Sequence, residues 1–152
     1  MFEIKLLSIC DFDEVVELYK QMVLENKLFD RRLAGVEVDD RTIRNILQFS
    51  FDIENDLLYV AFFHNKPVGF IDSTRLVAEG KDDEWYIKSV YLDTEYRDPS
   101  YFEQLVQKVE REVRQRGIKV IFSNALIDNR EINTLWEGIG YTLRDGRREK
   151  EL

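Results

Sequence analysis

The sequence predicts an α/β domain, one mixed sheet with helices on its faces, arranged in three layers. Three observations lead there. Strand-like and helix-like stretches follow in the order β, α, α, β, β, β, α, β, α, β, with a charged tail that reads as one more short strand. Ile118–Leu126 is apolar apart from Lys119, Ser123 and Asn124, as suits a strand buried on both faces. The stretch from Trp85 to Gly117 reads as a strand, a tight turn and a long amphipathic helix. Joined to Ile118–Leu126 it makes a β-α-β crossover that follows an antiparallel meander.

Taken in order, Phe2–Ile9 alternates as a first strand. Asp11 and Glu14 have capping-box spacing, and Phe12, Val15, Val16, Tyr19, Met22 and Val23 form a helical stripe behind them. Lys27–Val38 is polar, with Arg31 and Arg32 in its middle, and reads as a loop. Asp39 or Asp40 opens a second helix with Ile43, Ile46, Leu47 and Phe51 on one face. Leu57–Phe63 and Val68–Val77 are strands, and Asn65-Lys66-Pro67 between them is the turn of an antiparallel hairpin. Glu79–Asp83 is a charged turn before the strand Trp85–Leu92.

The next helix places Phe102, Leu105, Val106, Val109 and Val113 on one face. Its far face carries Glu103, Gln107, Lys108, Glu110, Arg111 and Arg114. Its start has two readings: Asp98 as N-cap with Pro99 at the first helical position, or a Ser100/Glu103 capping box. Gly117 ends it in the left-handed conformation. Asp128 and Glu131 again have capping-box spacing, and Ile132, Leu135, Trp136 and Ile139 form a stripe that Gly140 closes. Tyr141–Leu143 starts a last strand, Asp145-Gly146 is a hairpin signal, and Arg147–Leu152 reads as a charged edge strand. No repeat or linker interrupts this, so residues 1–152 are read as a single domain.

The 44% apolar content is enough for a packed core at this length. A net charge of −8 argues against nucleic acid as a partner and is compatible with a cationic one such as an amine. Cys10 is the only cysteine, which excludes an internal disulfide and a cysteine-based metal cluster; it reads as a small packed hydrophobe in a cytoplasmic protein. His64 is the only histidine and reads as a turn residue. No apolar run approaches the roughly 20 residues of a membrane span, and the first residues do not read as a signal peptide. The 12% aromatic content keeps a homodimer in view.

Two motifs carry a resemblance. One is Val90-Tyr91-Leu92-Asp93-Thr94-Glu95-Tyr96-Arg97; the other is Asn129-x-x-Ile132-x-x-Leu135-Trp136-Glu137-x-x-Gly140-Tyr141. At these residues the chain resembles the GNAT superfamily of acyl-CoA-dependent N-acetyltransferases, and its length and element order fit that fold throughout. The resemblance implies acetyl-CoA as cosubstrate and an amine as acceptor, with no metal. It implies that pantetheine lies between the splayed strands Trp85–Leu92 and Ile118–Leu126. It implies cofactor-binding positions at Leu92, Arg97, Asp98, Ser100, Tyr101, Phe102 and Asn129, with the pyrophosphate on the turn after Arg97.

The turn departs from the family's glycine-rich pattern: Arg97-Asp98-Pro99-Ser100-Tyr101-Phe102 contains no glycine, one residue without an N–H, and a carboxylate. Trp136 stands where the family's tyrosine acid would be, and Lys88 where a strand carboxylate often lies. Glu84 is left as the candidate catalytic base. Two functions are therefore expected: an N-acetyltransferase, or a GNAT-like binding module that no longer takes acyl-CoA.

Overall fold

The computed structural model describes residues 1–7, 13–52, 54–124, 130–144 and 147–152. Cys10, the capping residues Asp11 and Asp128, Asn129 and the Asp145-Gly146 turn lie outside them. The strands are β1 (Phe2–Leu6), β2 (Asp56–Phe63), β3 (Lys66–Leu76), β4 (Glu84–Leu92), β5 (Val120–Asn124), β6 (Thr142–Arg144) and β7 (Arg147–Glu151). The helices are α1 (Asp13–Asn26), α2 (Asp40–Ser50), α3 (Pro99–Gln115) and α4 (Arg130–Gly138). Together the strands form one seven-stranded sheet in the order β1-β2-β3-β4-β5-β7-β6. Among the described strands only β4 and β5 run parallel.

The three-layer arrangement follows from two separate cores. Val15, Val16, Met22 and Val23 of α1 and Ile43 and Leu47 of α2 pack with Leu58, Val60 and Phe70 on one face of the sheet. Phe102, Leu105, Val106, Val109 and Val113 of α3 pack with Trp85, Ile87, Ile121 and Trp136 on the other. These five α3 side chains are at most 2% exposed. Burying a side chain of this size is worth about 1.5–3 kcal/mol, which fastens the crossover to the sheet.

Of the two readings of the α3 start, Asp98 with Pro99 is the one formed: the Asp98 side chain accepts from the Ser100 N–H at 2.8 Å. At the other end, Gly117 has φ +77°. The Gly117 and Ile118 N–H groups bond back to the Arg114 and Val113 carbonyls, a Schellman ending that only a residue tolerant of positive φ makes cheaply.

Several expectations are corrected. The hairpin turn is His64-Asn65, both at positive φ, so Lys66 and Pro67 belong to β3. Lys27–Val38 contains a 3₁₀ turn at Arg31–Leu33, capped by Asp30. Asp39, not Asp40, caps α2, and Phe51 lies just past its end. Glu110 is 2% exposed rather than on the open face of α3, because Tyr141, just before β6, and Lys150 of β7 reach it. The charged tail is not an edge strand. It is inserted between β5 and β6, and β6 is the edge.

Two irregularities mark β4. Asp72 pairs with Ser89 and Ser73 with Ile87, so Lys88 is the extra residue of a bulge. Near the strand's end Gly69 faces Leu92 so closely that a Cβ at Gly69 would sit 2.6 Å from Leu92 Cδ2 and from the Tyr91 carbonyl oxygen.

Candidate active site

Among the described residues the parallel ladder between β4 and β5 has the pairs Trp85–Ile121, Tyr86–Phe122 and Ile87–Ser123 and no more. β4 continues through the bulge to Leu92 without it. The two strands therefore part at Ile87–Ser123. A cleft of about 100 Å³ opens there, walled by Lys88–Leu92 on one side and Ser123 and Asn124 on the other, with Arg97, Trp136 and Arg148 around it. A cleft at the carboxyl ends of adjacent parallel strands is where open α/β sheets bind ligands.

Arg97 fills the outer end. Its guanidinium forks onto both oxygens of Glu25 from α1, one bond at 2.7 Å and the other shorter, and approaches Glu131 of α4 at 3.4 Å. Its Nε donates to the Leu92 carbonyl at 2.8 Å. Burial would lower this guanidinium's pKa, but the Glu25 hydrogen bonds and charge hold it above the ordinary value. Leu92 and Arg97 thus lie together, bonded to each other and, through Arg97, to α1.

Asp98 closes the turn. Besides its side-chain bond to Ser100, its carbonyl accepts from the Tyr101 and Phe102 N–H groups at 3.0 and 3.2 Å. With Pro99 contributing no donor, the first-turn donors of α3 all end on Asp98. The Phe102 ring turns into the core, edge-on to Trp136 at 5.0 Å, and Tyr101 stacks on Phe2 at 4.3 Å. Both side chains are packing residues here.

Glu84 lies at the other end of β4, eight residues from Leu92, or roughly 26 Å along an extended strand. Arg147 holds its carboxylate at 3.1 Å, and Glu84 lines no part of the cleft.

Behind the bulge is a buried charge cluster that the spacing of the sequence did not reveal. Lys88 Nζ donates to Asp56 at 2.7 Å and to the Ser50 carbonyl at 2.6 Å, and lies 3.4 Å from Asp72. Asp72 is 4% exposed, and its Oδ1 has no hydrogen-bond partner among the described residues. Burial pushes the Asp72 carboxyl up to about 7 against the pull of Lys88.

Arg148 is a second site residue that sequence reasoning missed. It is 5% exposed, donates to the Asn124 carbonyl at 3.1 Å and to the Asn133 side-chain oxygen, and lies over the Trp136 ring at 5.7 Å. Burial pulls its guanidinium down to about 10, and the more distant charge of Glu137 opposes this only in part. The sequence carried no signal for it: Arg147-Arg148-Glu149-Lys150 is charged throughout, and only the strand's place inside the sheet buries Arg148.

Comparison with known proteins identifies the family to which this arrangement belongs. The profile of the Acetyltransferase (GNAT) family matches residues 20–141, and the chain belongs to that family. No curated protein sequence matches significantly. Among solved structures, the PaiA N-acetyltransferase of Thermoplasma acidophilum in complex with coenzyme A superposes with a TM-score of 0.77 at 18% identity, covering 100% of this chain and 99% of that one. A GNAT-family acetyltransferase of Streptococcus pneumoniae gives 0.78 at 13% identity, with 100% and 99% coverage. An aminoglycoside acetyltransferase from an uncultured soil metagenomic sample gives 0.71 at 18% identity, with 95% and 90% coverage. The fold is therefore that of the GNAT acetyltransferases. Among the described residues no helix is long and apolar enough to cross a membrane.

Proposed function

We propose that the protein is an N-acetyltransferase that moves an acetyl group from acetyl-CoA to an amine. The observation that carries this is the parting of β4 and β5 at Ile87–Ser123, beyond which, among the described residues, the last residues of β4 have no partner strand on the cleft side. Free backbone groups there suit an amide-bearing chain such as pantetheine. Aminolysis of a thioester needs positioning and a deprotonated amine, and this fold supplies a scaffold for both.

The fit of the cosubstrate depends on Arg97. The cleft's 100 Å³ is well below the roughly 300–1,000 Å³ of ligand pockets, and Arg97 is among the residues that line it. Turned away from Glu25, Arg97 frees the Leu92 carbonyl and offers its fork to a phosphate. Leu92 and Arg97 then hold the cosubstrate; Glu84, held by Arg147 and outside the cleft, is not placed to act as the base, and the amine's proton passes to solvent. The net charge of −8 favours a cationic acceptor.

A second reading has its own support. Asp98 satisfies the α3 donors and Glu25 satisfies Arg97, so the anion site is filled from within. This suits a binding module that has given up acyl-CoA. A thermal melt with saturating acetyl-CoA separates the two. Ligand at a hundred times its dissociation constant stabilises by about 2.7 kcal/mol, a shift of several degrees for a domain of this size. A shift supports the transferase, whose acceptor is then sought in an amine panel. No shift supports the module.

A further inference from the structure

We propose that Arg148 is a catalytic residue of the acyl transfer, the cation that meets the departing thiolate. The inference rests on the acetyl-CoA reading above and assigns it a residue of this chain.

Position comes first. In the β5–β7 register Arg148 stands opposite Ser123, and Ser123 is the residue at which β5 parts from β4. The guanidinium therefore lies at the apex of the splay, where it lines the cleft together with Ser123, Asn124 and Trp136.

Charge comes second. The two oxygens that Arg148 contacts, of Asn124 and Asn133, are both neutral, and no carboxylate lies within ion-pair distance of it among the described residues. The other arginines around the site are compensated: Arg97 by Glu25, and Arg147 by Glu84 and Glu149. Burying a cation without a counter-charge is costly, and a merely structural arginine here would be better replaced by an apolar side chain. The cost is recovered if a negative charge arrives during the reaction.

Chemistry comes third. When the amine lone pair forms the new C–N bond, the C–S bond breaks and its electron pair stays on sulfur. The amine's proton passes to solvent, and solvent protonates the sulfur after release, so amine and thioester become amide and thiol. Trp136 holds the place of the tyrosine acid that the family resemblance leads one to expect, and an indole cannot give up a useful proton. Arg148, poised over that indole, keeps its own proton and stabilises the sulfur's charge by a fixed, partly desolvated field.

The test titrates the thiol of coenzyme A bound to the full chain, followed by the ultraviolet absorbance of the thiolate. A free thiol ionises near 8.5. With Arg148 present the bound thiol should ionise at least tenfold more readily, which is one pH unit lower. Arg148→Met should abolish the shift and Arg148→Lys should keep part of it. Calorimetric melting confirms that each variant is folded, and the Lys variant serves if the Met variant is not. Coenzyme A that binds but titrates as the free thiol does, or keeps its shift in Arg148→Met, overturns the role of Arg148 and leaves the acetyl-CoA reading intact. Absence of binding by the unaltered protein overturns both.

Discussion

Two arginines line one cleft and differ in a single respect. Arg97 is buried with its charge answered by Glu25 and Glu131, whereas Arg148 is buried with neutral oxygens as its partners. The same division runs through the carboxylates. Asp56 accepts directly from Lys88, while Asp72, 3.4 Å from the same lysine, shares that cation only in part: one of its oxygens has no partner among the described residues, and burial pushes its carboxyl up to about 7. Burial alone therefore says little about what a charged residue does. A compensated charge fastens two elements together, as Arg97 fastens α1 to the turn before α3. An uncompensated one is held ready to change state or to receive an ion.

The contrast is broken most strongly at Asp72. Its folded pKa of about 7 lies above the ordinary 3.8, so its contribution to stability is complete below about pH 4 and is lost as pH rises through 7. Three units correspond to about 4 kcal/mol. Asp72→Asn should therefore gain on the parent protein by up to that amount between pH 4 and pH 8 in urea denaturation; a constant difference would put Asp72 among the compensated groups. Next, one substitution at two sites should have opposite signs. Arg97→Met strands Glu25 and should cost about 2 kcal/mol, or about 4–8 °C in melting temperature. Arg148→Met removes an unanswered charge and should leave the melting temperature equal or higher; a loss as large as that at Arg97 would erase the distinction.

Smaller effects sharpen it. Glu25→Gln weakens the hold on Arg97, so acetyl-CoA should bind about tenfold more tightly, about 1.4 kcal/mol by titration calorimetry. Unchanged affinity would mean that the Arg97–Glu25 pair does not compete with the cosubstrate. Asp98→Ala removes a helix cap worth about 1 kcal/mol and should lower the melting temperature by about 2–4 °C. No change would show that the α3 donors are answered by something other than this side chain.

The fold was legible because period and punctuation agreed along the chain. The α3 stripe, the Gly117 and Gly140 stops and the crossover could all be read from spacing. What could not be read was lateral order. Nothing in Arg147-Arg148-Glu149-Lys150 says that this charged strand lies inside the sheet, and that placement is what buries Arg148 and brings Lys150 to Glu110. Of the stretch Leu92 to Phe102 that the resemblance singles out, Leu92 and Arg97 line the cleft and Asp98, Ser100, Tyr101 and Phe102 do not, and the partners of the lining residues could not be read. Glu25 lies 72 residues before Arg97 and reaches it only through packing of α1 against the sheet. Asp72 joins Lys88 only because the bulge turns the lysine inward.

The close approach at Gly69 touches the cleft from outside. Even a single methyl group there would press on the Tyr91 carbonyl and the Leu92 side chain, the residues that wall the cleft, although Gly69 itself lines no part of it. Position 69 is thus a remote gauge of cleft width. An engineer wishing to admit a bulkier acyl chain, or to exclude one, would do well to randomise the contacts around this glycine before touching any residue inside the cleft.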